Sequence, residues 1–124
     1  MDTPETPEAG SRAALPMEAS ARRQVEAAYP ALRYLFSAYF HQDWDIEGED
    51  SAAVVRRFVR ADPGLVSETR RELERLLACG LTEFETRRLV WSGLGCDYSP
   101  LAFGVEMREW LTELHFDLLR REQD

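Results

Sequence analysis

The stretch PALRYLFSAYF, residues 30–40, sets Leu32, Leu35, Phe36, Tyr39 and Phe40 at i, i+3, i+4, i+7 and i+8. That spacing lines one face of an α-helix, and five large apolar side chains on it mark the face as core. Pro30 suits the first turn of such a helix, where its missing N–H is no loss. The same ring pushes Tyr29 out of the helical region, so MEASARRQVEAAY ahead of it forms a separate short helix ending near Ala28.

Downstream the helical period continues between punctuating turns. In SAAVVRRFVRA, residues 51–61, Ser51 is the expected N-cap, with Val54, Val55, Phe58 and Val59 inward and Arg56, Arg57 and Arg60 outward. Asp62-Pro63-Gly64 ends that helix. The next, LVSETRRELERLLACG, aligns Val66, Thr69, Leu73, Leu76 and Leu77 and closes on Gly80. Thr82 and Glu85 have the spacing of a capping box ahead of TEFETRRLVWSG. After the turn-rich GLGCDYSP, a last helix from about Phe103 to Arg121 gathers Met107, Trp110, Leu111, Leu114 and Leu118 on one face. No stretch alternates with the period of two that strands require, so the expected fold is all-α, a compact bundle of five to six short helices.

Three of the six prolines lie in the first sixteen residues, which have no apolar period; 1–16 is the expected disordered tail and 17–124 the expected single helical domain. A secretory signal needs a basic start and an apolar core, and the N-terminus has neither. No apolar run approaches the roughly 20 residues of a membrane span, so the expectation is a cytoplasmic protein without a membrane role. Two cysteines, Cys79 and Cys96, lack CxxC spacing and are expected to be free, buried or half-buried thiols.

The net charge of -8, with fifteen basic residues that are all Arg, argues against nucleic acid as a direct partner and suits a basic one. The charge is concentrated. Between His41 and Asp50 the run HQDWDIEGED holds Asp43, Asp45, Glu47, Glu49 and Asp50 with no base. Asp43, Asp45, Glu47 and Gly48 imitate the start of an EF-hand loop, but the eighth position from Asp43 is Asp50 rather than an apolar residue, and the twelfth is Val54 rather than the bidentate Glu. The calcium reading fails on both.

His41 with Asp43 and Asp45 leaves a metal-dependent enzyme as the alternative, with His115 as the one other imidazole in the chain. A residue such as His41 also serves at a helix C-terminus, donating to the last carbonyls. Ser92-Gly93 is not in a GxSxG context, and no phosphate-binding glycine fingerprint occurs. No cofactor is expected. On the last helix Glu106, Glu109, Glu113 and Asp117 form an acidic stripe beside Trp110; such charges repel unless they are solvated or meet a positive surface. A helical adaptor that binds through an apolar groove is a third possibility, one with little salt dependence.

With YPALRYLFSAYFHQDWD at 29–45, LGCDYSP at 94–100 and MREWLTEL at 107–114, the chain resembles the immunity proteins of contact-dependent growth inhibition systems, the CdiI family. YFHQDWD is the most specific part, and the resemblance covers roughly residues 29 to 120. It implies a small cytoplasmic antidote that binds the C-terminal toxin domain of a cognate effector, commonly a nuclease, without catalysis or cofactor. It also implies that Tyr39, Phe40 and Trp44 join Trp110 in organising the fold, with His41 at the helix end and Asp43 or Asp45 capping helices or pairing with Arg. Contact with a basic toxin domain, one to one, then falls to Glu47, Glu49 and Asp50, with Glu106, Glu109 and Glu113 as a second patch if folding joins the two.

Overall fold

The computed structural model describes residues 17–40 and 50–123. Six α-helices run in order: α1 (Ala19–Ala28), α2 (Pro30–Tyr39), α3 (Ser51–Ala61), α4 (Val66–Ala78), α5 (Glu83–Arg88) and α6 (Met107–Glu122). Short 3₁₀ turns at Pro63–Leu65 and Pro100–Phe103 and a π-helical turn at Leu89–Gly93 join them, and no strand occurs among the described residues. The fold is all-α, as the periodicities require.

The apolar faces read from sequence are the core. Leu32, Leu35 and Phe36 of α2, Val54, Val55 and Phe58 of α3, Leu73 and Leu76 of α4, and Met107, Trp110, Leu111, Leu114 and Leu118 of α6 are buried in one hydrophobic cluster. Val59, Leu77 and Tyr39 pack at its edge. α4 and α6 share the most extensive helix–helix contact. Their far ends are latched where the Ser67 hydroxyl donates to Glu122 at 2.7 Å and Arg70 pairs with the same carboxylate. These donors, Ser67 first and then Arg70, hold the Glu122 carboxyl below its ordinary pKa.

Two helices begin without a cap of their own and take one from a neighbour. The N-cap of α2 is Tyr29, which offers no side-chain acceptor. Glu72 of α4, 1% exposed, instead accepts from the Ala31 and Leu32 N–H groups at 3.1 and 2.9 Å. With Pro30 contributing no N–H, the free donors of that first turn are thereby met. Glu83 does the same for α6, accepting from Met107 N at 2.7 Å and Arg108 N at 2.9 Å while pairing with Arg87. A carboxylate there also complements the positive end of the helix dipole.

Three local expectations need correction. Asp50, not Ser51, caps α3: its side chain accepts from Ala53 N at 2.8 Å, and Ser51 is the first helical residue. α6 starts at Met107 rather than near Phe103, because Pro100 opens a 3₁₀ turn that Gly104 ends with φ +78°, a conformation costly for any residue with a Cβ. Cys79 is exposed rather than buried, although its thiol lies 3.6 Å from the Tyr29 hydroxyl; Cys96 is buried, and neither forms a disulfide. The capping box of Thr82 and Glu85 and the left-handed Gly80, φ +74°, occur as read.

Candidate functional site

The described parts of the segments that carry the resemblance, 29–40, 94–100 and 107–114, meet in space. The Phe40 carbonyl at the end of α2 accepts from Asp97 N at 2.8 Å, tying the helix to the turn before Pro100. Around this tie Phe36, Phe40, Tyr98 and Trp110 form an aromatic cluster, with ring centroids 5.3 Å apart for Phe40 and Trp110 and 4.8 Å for Tyr98 and Trp110. The Trp91 indole N–H donates to the Tyr98 carbonyl at 2.9 Å, which fixes the backbone that carries this tyrosine. Buried aromatic rings in edge-on or tilted contact add about 0.5–1.5 kcal/mol per pair beyond their burial. Phe40 and Trp110 are both buried in the core cluster.

Tyr39, at the edge of the core, sets its ring 5.4 Å from that of Phe58 on α3. Its hydroxyl and that of Tyr34 both donate to Asp62, at 2.8 and 3.0 Å, joining α2 to the end of α3. Burial first, and then the Asp62 hydrogen bond, raises the Tyr39 pKa well above the usual value; for the exposed Tyr34 the Asp62 bond is the main cause. His41, Asp43, Trp44, Asp45, Glu47 and Glu49 lie outside the described residues.

Where Trp110 reaches the surface a groove opens. Its indole N–H donates to Ser51 Oγ at 2.9 Å, so the start of α3 is pinned to the middle of α6. Below that pin the two helices enclose a space of about 390 Å³ over Val55, Val105, Trp110 and Leu114. A second hollow continues past Ser51, Ala52 and Tyr98 to Asp50 and Phe103. Phe103 is 66% exposed and lies nearly parallel to Tyr98 with centroids 6.0 Å apart.

One carboxylate stands on each side of this pin. Asp50, the last residue of the acidic run, lines the hollow over Tyr98 and Phe103, and Glu113, on the acidic stripe of α6, lines the groove that shares Tyr98 with it. The Tyr98 pKa is raised by burial first and then by negative charge around it, that of Asp50 and Glu113 included. Both carboxylates are exposed. Asp117, next on the stripe, is instead taken up by Arg120 at 2.7 Å and Arg121 at 3.1 Å. Glu106 and Glu109 are exposed on α6, Glu106 as its N-cap, and neither lines the groove.

Sequence reasoning did not single out Ser51 as the partner of Trp110, Tyr98 and Phe103 as an aromatic tier, or Glu72 and Glu83 as caps in trans. Phe103 carried a signal: a large apolar residue beside Gly104, off the apolar face of α6. Among the described residues no group of three His, Cys, Asp or Glu is placed to hold a metal ion. His115, the one imidazole among them, has its Nε2 buried without a hydrogen-bond partner and its ring 5.5 Å from Phe116. No described helix is long and apolar enough to cross a membrane.

Neither the curated proteins nor the solved structures compared with the chain gave a match. A family model described as CdiI immunity protein matches residues 28–118, from the end of α1 through most of α6 and across every segment of the aromatic cluster. With that match over most of its length, the chain belongs to the CdiI immunity protein family.

Proposed function

We propose that the chain binds the C-terminal toxin domain of a cognate contact-dependent growth inhibition effector, one to one in the cytoplasm, and that its acidic surface occupies a basic toxin face. A nuclease is the toxin chemistry this surface suits best, because a site that holds phosphates is rich in positive charge. The observation that carries the reading is that Asp50 and Glu113 line two hollows that share Ser51, Ala52 and Tyr98. This supports reading Asp50, the end of the acidic run, and Glu113, of the α6 stripe, as parts of one negative surface beside the exposed Phe103 ring. Glu47 and Glu49 join the proposal from the sequence alone, as members of the same acidic run, and Glu106 and Glu109 as exposed carboxylates of α6. Facing carboxylates of this kind speed the encounter with a basic partner, and an antidote must act before its toxin does.

The test uses the toxin domain encoded beside the immunity gene, inactivated in its active site. Asp50→Asn with Glu113→Gln removes two charges, and asparagine keeps the ability to cap α3. Association with the double variant should slow about tenfold at low ionic strength and lose much of its salt dependence, and protection of cells that express the active toxin should weaken. Unchanged association kinetics would remove the acidic surface from the model.

A further inference from the structure

The groove between α3 and α6 changes sign along its length. At the Phe103 end the lining carries Asp50 and, among the described residues, no base, and Glu113 lines the adjoining groove that shares Tyr98 with it. One turn further along α3 Arg56 lines the same groove, and the facing end of α6 contributes Arg120 and Arg121. Among the described residues this lining sets two carboxylates, Glu113 and Asp117, against three arginines, and Asp117 is already paired with Arg120 and Arg121. Arg56 itself is exposed and makes no ion pair among the described residues. Between the two ends the floor is apolar: Val55, Val105, Trp110 and Leu114.

A uniformly basic surface does not fit such a lining, because it would meet repulsion at the Arg56 end. A segment with opposite charges at its two ends does fit. We propose that the groove seats one segment of the toxin partner, with a cationic side chain on the Tyr98–Phe103 tier between Asp50 and Glu113 and a carboxylate at Arg56 and Arg121. Arginine is the better cation there, since a guanidinium can lie flat on the exposed Phe103 ring while its edge donates to a carboxylate. The middle of the segment covers the apolar floor, as a helix or strand does in a groove. The assignment rests on the toxin-binding reading of this surface and adds the orientation of the bound segment.

The decisive variant is Arg56→Glu in the full chain, measured against the inactivated toxin domain encoded beside it. If the acidic surface acted only by attracting a basic partner, this change would add negative charge and leave binding equal or tighter. The oriented segment predicts the opposite: affinity falls at least about tenfold, mostly through faster dissociation, with a smaller loss for Arg56→Gln. Equal or tighter binding by Arg56→Glu overturns the oriented segment and leaves the neutralising function standing. Failure of the unaltered chain to capture the toxin domain overturns both. A thermal midpoint for each variant guards against a folding defect, and if Arg56→Glu does not fold, the Arg56→Gln result decides by the same criterion.

Discussion

Glu72 is 1% exposed, and its carboxylate has two backbone donors for company, Ala31 N and Leu32 N. Charge-assisted bonds of this kind are short and strong, and their loss leaves buried donors unmet. Glu72→Ala should therefore destabilise the fold by about 3 kcal/mol, the sum of a lost charged acceptor and two stranded N–H groups. Glu72→Gln, which keeps one acceptor oxygen but turns an NH₂ on the second donor, should cost about half as much. Urea unfolding midpoints check both. The tyrosines supply a second prediction at this scale. Burial first, with the Cys79 hydrogen bond second, pushes the Tyr29 hydroxyl up to about 12, and Tyr39 is raised as well. In the unfolded chain both ionise near the ordinary value of about 10. Above that pH the unfolded state releases protons that the fold retains, so stability present below about pH 10 must fall as the pH climbs toward 12. Midpoints taken between about pH 9 and about pH 11 should show the decline, and Tyr29→Phe should flatten it.

Helix α3 begins on Asp50, and its N-cap bond to Ala53 N is separable from its charge. Asp50→Asn should leave stability within a few tenths of a kcal/mol, whereas Asp50→Ala should cost about 1 kcal/mol. The contrast, read from thermal midpoints, distinguishes capping from a role in binding, since Asp50→Asn removes only the charge. At this scale the difference between what the residues announce and what they conceal is physical. Thr82 with Glu85 was legible because a capping box closes within four residues, and Gly80 because the left-handed turn it makes is local. The apolar faces of α2, α3, α4 and α6 were legible because periodicity is a property of the helix alone. Glu72 reads in ETRRELERLL as one more surface charge, since its partners lie 40 and 41 residues away. Glu83 hid for the same reason, and with it the true start of α6. Of the groove's lining, Asp50 and Glu113 were named from the sequence, but the Trp110–Ser51 bond between α6 and α3 was not, because its partners lie 59 residues apart.

The molecule as a whole holds like charge close together around an aromatic cluster that is also its core. Asp50 and Glu113 line hollows that share the Tyr98 ring, whose neighbours, Phe40 and Trp110, join α2 to α6. The residues that organise the fold thus present the surface proposed for binding, and rigidity of that surface comes from core packing rather than from loops. Such an arrangement stores repulsion. With a net charge of -8, the free chain should gain stability as salt screens its carboxylates from one another. Capture of a basic partner depends on the same field reaching outward, and it should weaken under the same screening. Raising the salt from about 0.05 M to about 0.5 M, which shortens the screening length from about 14 Å to about 4 Å, should therefore move the two in opposite directions. The unfolding midpoint of the free chain rises while association with the toxin domain slows. The ion pairs of Arg70 and Asp117 work against the first trend, but each is short-ranged and partly screened by its own geometry, whereas the net repulsion involves every carboxylate. A midpoint that falls with salt would show that local pairs outweigh the net charge. An association rate indifferent to salt would show that the partner meets this surface through its apolar groove alone.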